Sequence, residues 1–207
     1  MGRKAGWSIW KIAKNDDDSY EHGTYPDYLI LEQYSSKEQM DEEFVRYGED
    51  YEGMKAIMKK TLKGKYSNKQ IENILAKAPK KEVRTYIHER VTSTPMTNGD
   101  LKVGDVMVAT AMEQLRDDYE QFETEFYRDL FAQNIIKGNH RFWGFSRIID
   151  RNEAAYSAPT HTAWNMFIDG KELELPDDFV SSKIYELTGD ARKSYIPQEL
   201  TMVYSGK

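Results

Sequence analysis

The sequence contains no cysteine and only six prolines among its 207 residues, and it has no long hydrophobic run. The absence of cysteine excludes disulfide bonds, thiolate metal ligands and a cysteine nucleophile. No apolar stretch approaches the roughly 18 to 20 residues that a membrane-spanning helix needs, and the first residues lack the apolar core of a signal peptide. We therefore expect no membrane span, whereas the cellular location stays unknown because an export signal would lie upstream of Met1.

A basic surface is also missing, since 29 lysines and arginines stand against 35 acidic residues and give a formal net charge of -6. This balance argues against a nucleic-acid partner. The sequence has no Gly-rich phosphate loop, no Gly-x-Ser-x-Gly elbow and no His-Glu-x-x-His motif, and its four histidines are dispersed. An EF-hand loop begun at Asp16 would place Glu21 where glycine is required, so the acidic run Asn15–Asp18 is interpreted as a hairpin turn. We expect no metal and no cofactor.

What the sequence does contain is a divergent internal repeat. Gly2–Ile12 aligns without gaps on Gly138–Ile148, with Gly, Trp and Ile at identical spacing. Two further pairs follow in the same order, namely Tyr28–Tyr34 with His161–Phe167 and Arg84–Val91 with Lys193–Leu200. These runs are short, rich in aromatic and β-branched residues and bounded by turn formers, which is typical of strands. The repeat predicts two related halves.

Helices are predicted after each strand pair. A stripe with helical spacing runs from Met40 to Met58, and Ser35 with Glu38 has the spacing of a capping box. A second helix is predicted from Ser67 to a stop at Pro79. In the second half, the corresponding stripe consists of Val180, Ile184 and Leu187.

Only the second half has an opening strand and helix, predicted at Asp105–Met112 and from Leu115 to Ile136. Its element order, β-α-β-β-α-β, is ferredoxin-like. We predict an α+β chain of two tandem ferredoxin-like repeats that form one intramolecular α/β-barrel. The first repeat (1–92) lacks its opening β-α and has extra helices at about 49–78, the linker is 93–102, and the second repeat is 103–207.

The second half also resembles a known family. The resemblance rests on Phe126–Phe131, Lys137-Gly138 and Trp143-Gly144-Phe145. In these residues the chain resembles the dimeric α/β-barrel superfamily, and in particular uncharacterised bacterial proteins near the stress-responsive barrel and antibiotic-biosynthesis-monooxygenase groups. The resemblance covers Val103 to Tyr204 and, more faintly, Gly2 to Val91. It implies a fold rather than a function, because such barrels include monooxygenases, haem enzymes and isomerases.

His161 is the first residue to test, because in haem-binding branches of the superfamily a histidine is an axial ligand. Its place at the start of a strand, without a second histidine at ligand spacing, favours a structural role. His140 is interpreted as a solvated loop residue. The residues that we expect to line a pocket between the sheets are His161, Trp143, Asn165, Arg147, Lys11 and Trp7.

Three functions are compatible with these features. The first is binding of a small apolar or aromatic molecule between the sheets. The alternative is a cofactor-independent monooxygenase-like enzyme in which His161, Trp143, Asn165 and Arg147 surround the chemistry. A second alternative is a protein-interaction module that uses the stripe from Met40 to Met58. The missing strand further predicts that the chain is a fragment, or that a homodimer completes the first sheet.

Overall fold

The structure is a computed structural model that describes residues 6–14, 26–48, 56, 59–60, 63–64, 66–76 and 83–206. The chain divides into two compact units. One comprises residues 1–7, 32–83 and 206–207, and the other comprises residues 8–31 and 84–205. The second unit contains most of the sheet and every candidate site residue except Trp7.

The described elements are eight strands, five α-helices and one π-helical segment, as expected for an α+β chain. The strands are β1 (Gly6–Ile12), β2 (Tyr28–Gln33), β3 (Tyr86–Ser93), β4 (Val106–Gln114), β5 (His140–Arg151), β6 (His161–Phe167), β7 (Arg192–Ser194) and β8 (Gln198–Gly206). The helices are α1 (Lys37–Gly48), α2 (Asn68–Ala76), α3 (Tyr119–Gln121), a π-helical segment (Phe122–Tyr127), α4 (Arg128–Ile136) and α5 (Phe179–Ala191). Among the described residues, no helix is long and apolar enough to cross a bilayer.

The strands form one strongly curled antiparallel sheet in the order β2-β1-β8-β4-β6-β5-β3, with β7 beside β4. The central pairs fix which residues share a face. Trp143 lies opposite Asn165 and Arg147 opposite His161 across β5 and β6, while Arg90 of β3 lies opposite Ser146. Because side chains alternate along a strand, Trp143 and Arg147 project from one face of the sheet and Ser146 from the other.

The first of these faces, here the helix face, is covered by α3, the π-helical segment and α4. The ring of Tyr119 meets that of Phe145 edge-on at 5.6 Å, and Phe131 stacks on Trp143 at 5.2 Å. The buried cluster on this face consists of Met112, Tyr119, Trp143, Phe145, Ala163 and Ala191. Its aromatic content makes burial of this face a major contribution to stability.

A buried ion pair lies at the border of that cluster. Glu123 of the π-helical segment is 1% exposed, and Arg192 of β7 donates a hydrogen bond to its Oε1. The Arg192 guanidinium also lies 5.8 Å and 5.3 Å from the ring centroids of Tyr119 and Tyr127. Burial alone would lower the pKa of Arg192, but the Glu123 carboxylate and Tyr119 raise it above its usual value. Each charge is therefore compensated by a partner.

The opposite face of the sheet carries a second cluster, whose buried members come from the four neighbouring strands β1, β8, β4 and β6. Its buried members are Trp10, Ile12, Met107, Ala109, Met166, Leu200 and Met202, with Leu29, Leu31, Leu101, Phe142 and Trp164 packed against them. Gly144 is required there, because a Cβ at this position would lie 2.9 Å from the ring of Phe142. We call this side of the sheet the opposite face.

The predicted caps of the first-unit helices are confirmed for α2 and shifted for α1. The Ser67 backbone N–H donates to Gln70 Oε1 at 2.9 Å, and the Gln70 N–H donates to Ser67 Oγ at 3.4 Å. In α1, Ser36 rather than Ser35 accepts from the Gln39 N–H, at 3.2 Å, so the predicted Ser35–Glu38 box is wrong by one residue. Pro79 and most of the Met40–Met58 stripe lie outside the described side chains, although Met40 itself is buried.

Two other helix predictions need correction. The predicted helix from Leu115 begins only at Tyr119, and its π-helical segment buries Glu123 where the pattern favoured Phe122. In α5, the residues fully buried are Ser181, Thr188 and Ala191, whereas Val180 and Leu187 of the predicted stripe are exposed. Small side chains on this face allow the helix to lie close to its neighbours, and the larger apolar groups point elsewhere.

The segment predicted as a linker runs along β5. The Thr94 N–H donates to the Trp143 carbonyl at 2.9 Å, and the Thr97 N–H donates to the Arg141 carbonyl at 3.0 Å. The Arg141 guanidinium pairs with Asp105 at 2.9 Å. Arg141 also donates to carbonyls of residues 97, 99 and 100, so the turn at Asn98 and Gly99, both with positive φ, is held to the sheet.

Candidate functional site

Four of the six predicted pocket residues share the helix face. Trp143 and Arg147 of β5 and His161 and Asn165 of β6 occupy paired positions in the two strands. Lys11 of β1 is exposed, between the buried Trp10 and Ile12, and Trp7 belongs to the other compact unit. The structure therefore brings four of the predicted residues together, beneath the helices.

His161 is enclosed on all sides by protein. It is 1% exposed, its ring stacks on Phe145 at 5.0 Å, and Tyr119 meets it edge-on at 5.2 Å. Its Nε2 lies 2.9 Å from Glu120 Oε1 and its Nδ1 lies 2.9 Å from Thr160 Oγ1. Burial lowers the pKa of His161, and Glu120 opposes that effect. Both ring nitrogens are engaged, so neither is left for a ligand.

Arg147 closes the outer rim of this region. Its guanidinium pairs with Glu89 at 2.9 Å and with Glu120 at 3.3 Å, and about half of its side chain is exposed. Arg147 thus holds Glu120 beside His161. The Glu120 carboxylate thus links the buried His161, through a hydrogen bond, to the half-exposed Arg147, through an ion pair.

His140 was predicted to be a solvated loop residue, and that prediction is wrong. It opens β5 and is fully buried between the rings of Phe131 and Phe167, at 5.0 Å and 5.1 Å. Neither ring nitrogen has a hydrogen-bond partner among the described residues, and the Oδ1 atom of Asn165 is also unpartnered. Burial lowers the pKa of His140 to about 4, so the ring is neutral at pH 7.

A polar network on the opposite face was not predicted as a site. The Trp164 Nε1–H donates to Ser146 Oγ at 2.9 Å, and His88 Nδ1 lies 3.0 Å from the same oxygen. The rings of His88 and Trp164 meet edge-on at 5.7 Å, and Tyr86 lies beside His88 at 6.3 Å. His88 and Trp164, from two different strands, therefore contact one buried hydroxyl group, and Tyr86 lies beside His88.

The members of this network keep contact with solvent. Tyr86, His88 and Trp164 are each half-buried, and Arg90, two residues after His88, is exposed. Arg90 has no ion-pair or hydrogen-bond partner within the described ranges. Burial lowers the pKa of His88 to about 4, with smaller contributions from Arg151 and His161. We call Tyr86, His88, Arg90 and Trp164 the Trp164 surface.

Part of the Trp164 surface is predictable from the sequence. Tyr86, His88 and Arg90 alternate along one predicted strand, so they share a face. The missing information was the pairing of β3 with β5, which brings His88 next to Ser146 of the other half. Strand pairing between distant segments is not encoded in local periodicity.

The described residues offer little support for a metal site or for a second ligand pocket. Among the described residues no group of three or more acidic or histidine side chains is placed to hold a metal, and the acidic run Asn15–Asp18 lies outside them. A depression of about 150 Å³ near the end of α4 is smaller than the roughly 300 Å³ of typical ligand pockets. It is lined by Leu130, Gln133, Asn134, Lys137, Glu174, Leu175 and Pro176.

Comparison with known proteins supports the fold. The chain is similar to the crystal structure of an anthrone oxidase-like protein, with a TM-score of 0.55 and 9% sequence identity, over 98% of this chain and 79% of that chain. At this identity the likeness shows a barrel-like α+β fold with a curled antiparallel sheet. No family model matches the sequence, and no curated protein matches it.

Proposed function

We propose that this protein binds a small aromatic molecule on the Trp164 surface. The observation that carries the proposal is that the half-buried His88 and Trp164 both contact Ser146, while the half-buried Tyr86 and the exposed Arg90 flank His88 along β3. An aromatic ligand gains from offset or edge-to-face contacts with such rings, which contribute about 0.5–1.5 kcal/mol per pair beyond the buried area. The helix face has more aromatic residues, but in the described part of the chain their rings pack against one another and leave no ring face for a ligand.

Charge favours the same location. Arg147 is neutralised by Glu89 and Glu120, whereas Arg90 has no partner among the described residues. A guanidinium beside aromatic rings suits a planar ligand with an anionic or carbonyl oxygen. The predicted pocket of His161, Trp143, Asn165, Arg147, Lys11 and Trp7 stays a prediction, and the Trp164 surface is the better-supported binding site.

The binding proposal is tested by isothermal titration calorimetry with 2-naphthoic acid, a planar aromatic anion. We expect saturable binding that is lost in Trp164→Ala. Phe167→Ala is the matched control, because Phe167 is a half-exposed aromatic residue of the same strand that packs against His140 on the helix face. Absence of saturable binding, or binding that survives Trp164→Ala, would contradict the proposal.

A second candidate function is oxidation of an aromatic substrate without a bound cofactor. The likeness to an anthrone oxidase-like protein favours it, because the likeness spans 98% of this chain. The test is an oxygen-electrode assay with anthrone as the substrate. Oxygen consumption above that of the buffer, and lower in Trp164→Ala than in Phe167→Ala, is expected if this function is present. Consumption equal to that of the buffer would reject it.

We also propose the finer architecture, two tandem ferredoxin-like repeats (1–92 and 103–207) of the dimeric α/β-barrel superfamily. Support comes from the element order of the second half and from its strand order β8-β4-β6-β5. The first-half strands β1 and β3 lie beside β8 and β5 at the two sides of this group.

The two end strands of the sheet are β2 and β3, and one further strand between them would close it. We therefore propose a second copy of the chain as the partner that completes the first repeat. Size-exclusion chromatography with light scattering tests this dimer, and a monomer would contradict it.

A further inference from the structure

Ser146 determines which nitrogen of His88 carries the proton. Its Oγ accepts from the Trp164 indole at 2.9 Å, lies 3.0 Å from His88 Nδ1 and lies 3.3 Å from the Thr162 carbonyl oxygen. An indole N–H only donates and a carbonyl oxygen only accepts, while a serine hydroxyl has one proton to give. All three contacts are hydrogen bonds only if the hydroxyl donates to Thr162 and His88 Nδ1–H donates to the hydroxyl. This tautomer leaves the lone pair on Nε2.

That lone pair has no hydrogen-bond partner among the described residues. No described residue hydrogen-bonds to His88 Nε2, and the ring is half-buried next to Trp164. The other described histidines differ in this respect. His161 has both nitrogens engaged by Thr160 and Glu120, and His140 is sealed between Phe131 and Phe167. Of the three described histidines, His88 is thus the one whose acceptor atom a ligand can reach.

We infer that the Trp164 surface selects aromatic ligands that carry a hydroxyl group, which donates a hydrogen bond to His88 Nε2, and that Ser146 is the positioning residue that fixes this acceptor. The inference rests on the proposed binding function and deepens it. The ligand class is aromatic compounds that carry a hydroxyl group, and His88 is the residue that recognises this group.

The spacing along β3 adds a second requirement on the ligand. Residues two apart on a strand lie roughly 6.6 Å apart on the same face, so Arg90 follows His88 at about the length of a fused two-ring system. The guanidinium donates hydrogen bonds and accepts none. The matching ligand has a hydroxyl donor at one end and a carboxylate or carbonyl oxygen at the other.

The experiment compares three compounds by isothermal titration calorimetry on the full chain: 6-hydroxy-2-naphthoic acid, 2-naphthoic acid and 6-methoxy-2-naphthoic acid. We expect the hydroxyl compound to bind about 3- to 10-fold more tightly than the other two, which is the effect of one hydrogen bond. In His88→Leu the three affinities become equal. Arg90→Ala weakens all three and keeps the preference, whereas Arg128→Ala, a change of an exposed arginine on α4, leaves binding unchanged.

The role of Ser146 has its own measurement, because Ser146→Ala affects packing as well as hydrogen bonding. Nitrogen-15 NMR of the His88 ring distinguishes the protonated from the unprotonated nitrogen in the free protein. We expect an unprotonated Nε2 at pH 7, a mixture of tautomers in Ser146→Ala, and the original state in Ser146→Thr, which retains a hydroxyl. A protonated Nε2 in the unaltered protein would overturn the inference.

The calorimetric outcomes separate the two proposals. Equal affinities for the three compounds, all lost in Trp164→Ala, would overturn hydroxyl selection and leave the binding function standing. A preference for the hydroxyl compound that survives His88→Leu would also overturn the inference, since another atom would then accept the hydrogen bond from the ligand hydroxyl. No binding of any compound would reject the proposed function itself.

Discussion

His161 and His88 lie on opposite faces of the same curled sheet, and their surroundings differ in kind. His161 is stacked on Phe145, hydrogen-bonded through both nitrogens and covered by the helices. His88 is half-buried, hydrogen-bonded through one nitrogen to Ser146 and next to an arginine without a partner among the described residues. The sequence directed attention to the first histidine, but the second is the one whose Nε2 has no partner among the described residues.

The same contrast holds for the charged groups of the two faces. On the helix side, Glu123 and Arg192 pair with each other, and Arg147 is shared by two carboxylates. On the opposite face, Arg90 keeps its donors unused within the described residues. Charged groups whose partners are complete contribute to structure, whereas the exposed Arg90 has donors that the proposed recognition can use.

Removing Glu123 tests the structural side of this comparison and has the largest expected effect. Glu123→Ala leaves the Arg192 guanidinium beside Tyr119 and Tyr127 without its carboxylate. Breaking one side of a buried ion pair costs about 3–5 kcal/mol. We expect the free energy of unfolding, measured by urea titration at pH 7, to fall by that amount.

The matched control is Glu186→Ala, which removes the carboxylate of the exposed pair Lys183–Glu186. Exposed pairs of this kind contribute about 0–1 kcal/mol. If the two substitutions destabilise the protein equally, the Glu123–Arg192 pair has no special structural role.

Acid should destabilise the protein through His88 and His140, one from each face. Burial lowers the pKa of each to about 4, from an ordinary value of about 6.5. Between these pH values the unfolded chain binds more protons than the folded one, so the free energy of unfolding falls as the pH falls. A shift of this size corresponds to about 3 kcal/mol per histidine, all of it lost once the pH is below about 4.

The measurement is urea unfolding at pH 7 and at pH 4.5, for the unaltered protein, His88→Leu and His140→Leu. Each variant should lose less stability between the two pH values than the unaltered protein does, because one titrating group is gone. Carboxylates titrate identically in all three proteins and cancel in the comparison. An unchanged pH dependence in both variants would show that neither histidine is held neutral.

Much of the sheet was accessible from the sequence. The run His161–Phe167 was predicted as a strand, and β6 has those bounds. Trp143-Gly144-Phe145 falls inside β5, and the opening strand of the second half was predicted within two residues of the end of β4. These successes share a cause, since short aromatic and β-branched runs bounded by turn formers favour strands locally.

The remaining features depend on tertiary contacts that a local pattern does not contain. The π-helical segment Phe122–Tyr127 places the charged Glu123 in the interior, where the guanidinium of Arg192, about 70 residues away, compensates its charge. His140 was misread because it was placed just before the strand at Trp143, whereas β5 begins at His140 itself and Phe131 and Phe167 enclose its ring. The Trp164 surface required the β3–β5 pairing, which joins two distant segments.

Gly144→Ala tests the packing of the opposite face. The new Cβ would lie 2.9 Å from the ring of Phe142, which packs against the buried cluster there, so the ring must move. We expect a loss of about 1 kcal/mol in the free energy of unfolding. Gly189→Ala in α5 is the same chemical change with no atom within 4 Å, and it should stabilise the helix by about 1 kcal/mol. Equal effects of the two substitutions in a thermal melt would contradict this view of Gly144.

The smallest expected effect is at Leu187, where the sequence pattern and the structure disagree most directly. The stripe of Val180, Ile184 and Leu187 predicted a buried residue, and burial would make a polar substitution cost several kcal/mol. In the structure Leu187 is 42% exposed and its neighbour Thr188 is fully buried, donating to the Ile184 carbonyl at 2.7 Å. Leu187→Gln should therefore change the free energy of unfolding by less than about 0.5 kcal/mol. Thr188→Val keeps the shape and removes the buried hydroxyl, so it shows whether this position of α5 contacts the core. A loss of 2 kcal/mol or more in Leu187→Gln would mean that the predicted stripe, not Ser181, Thr188 and Ala191, faces the interior, because only a buried leucine loses that much on exposure to a polar substitution.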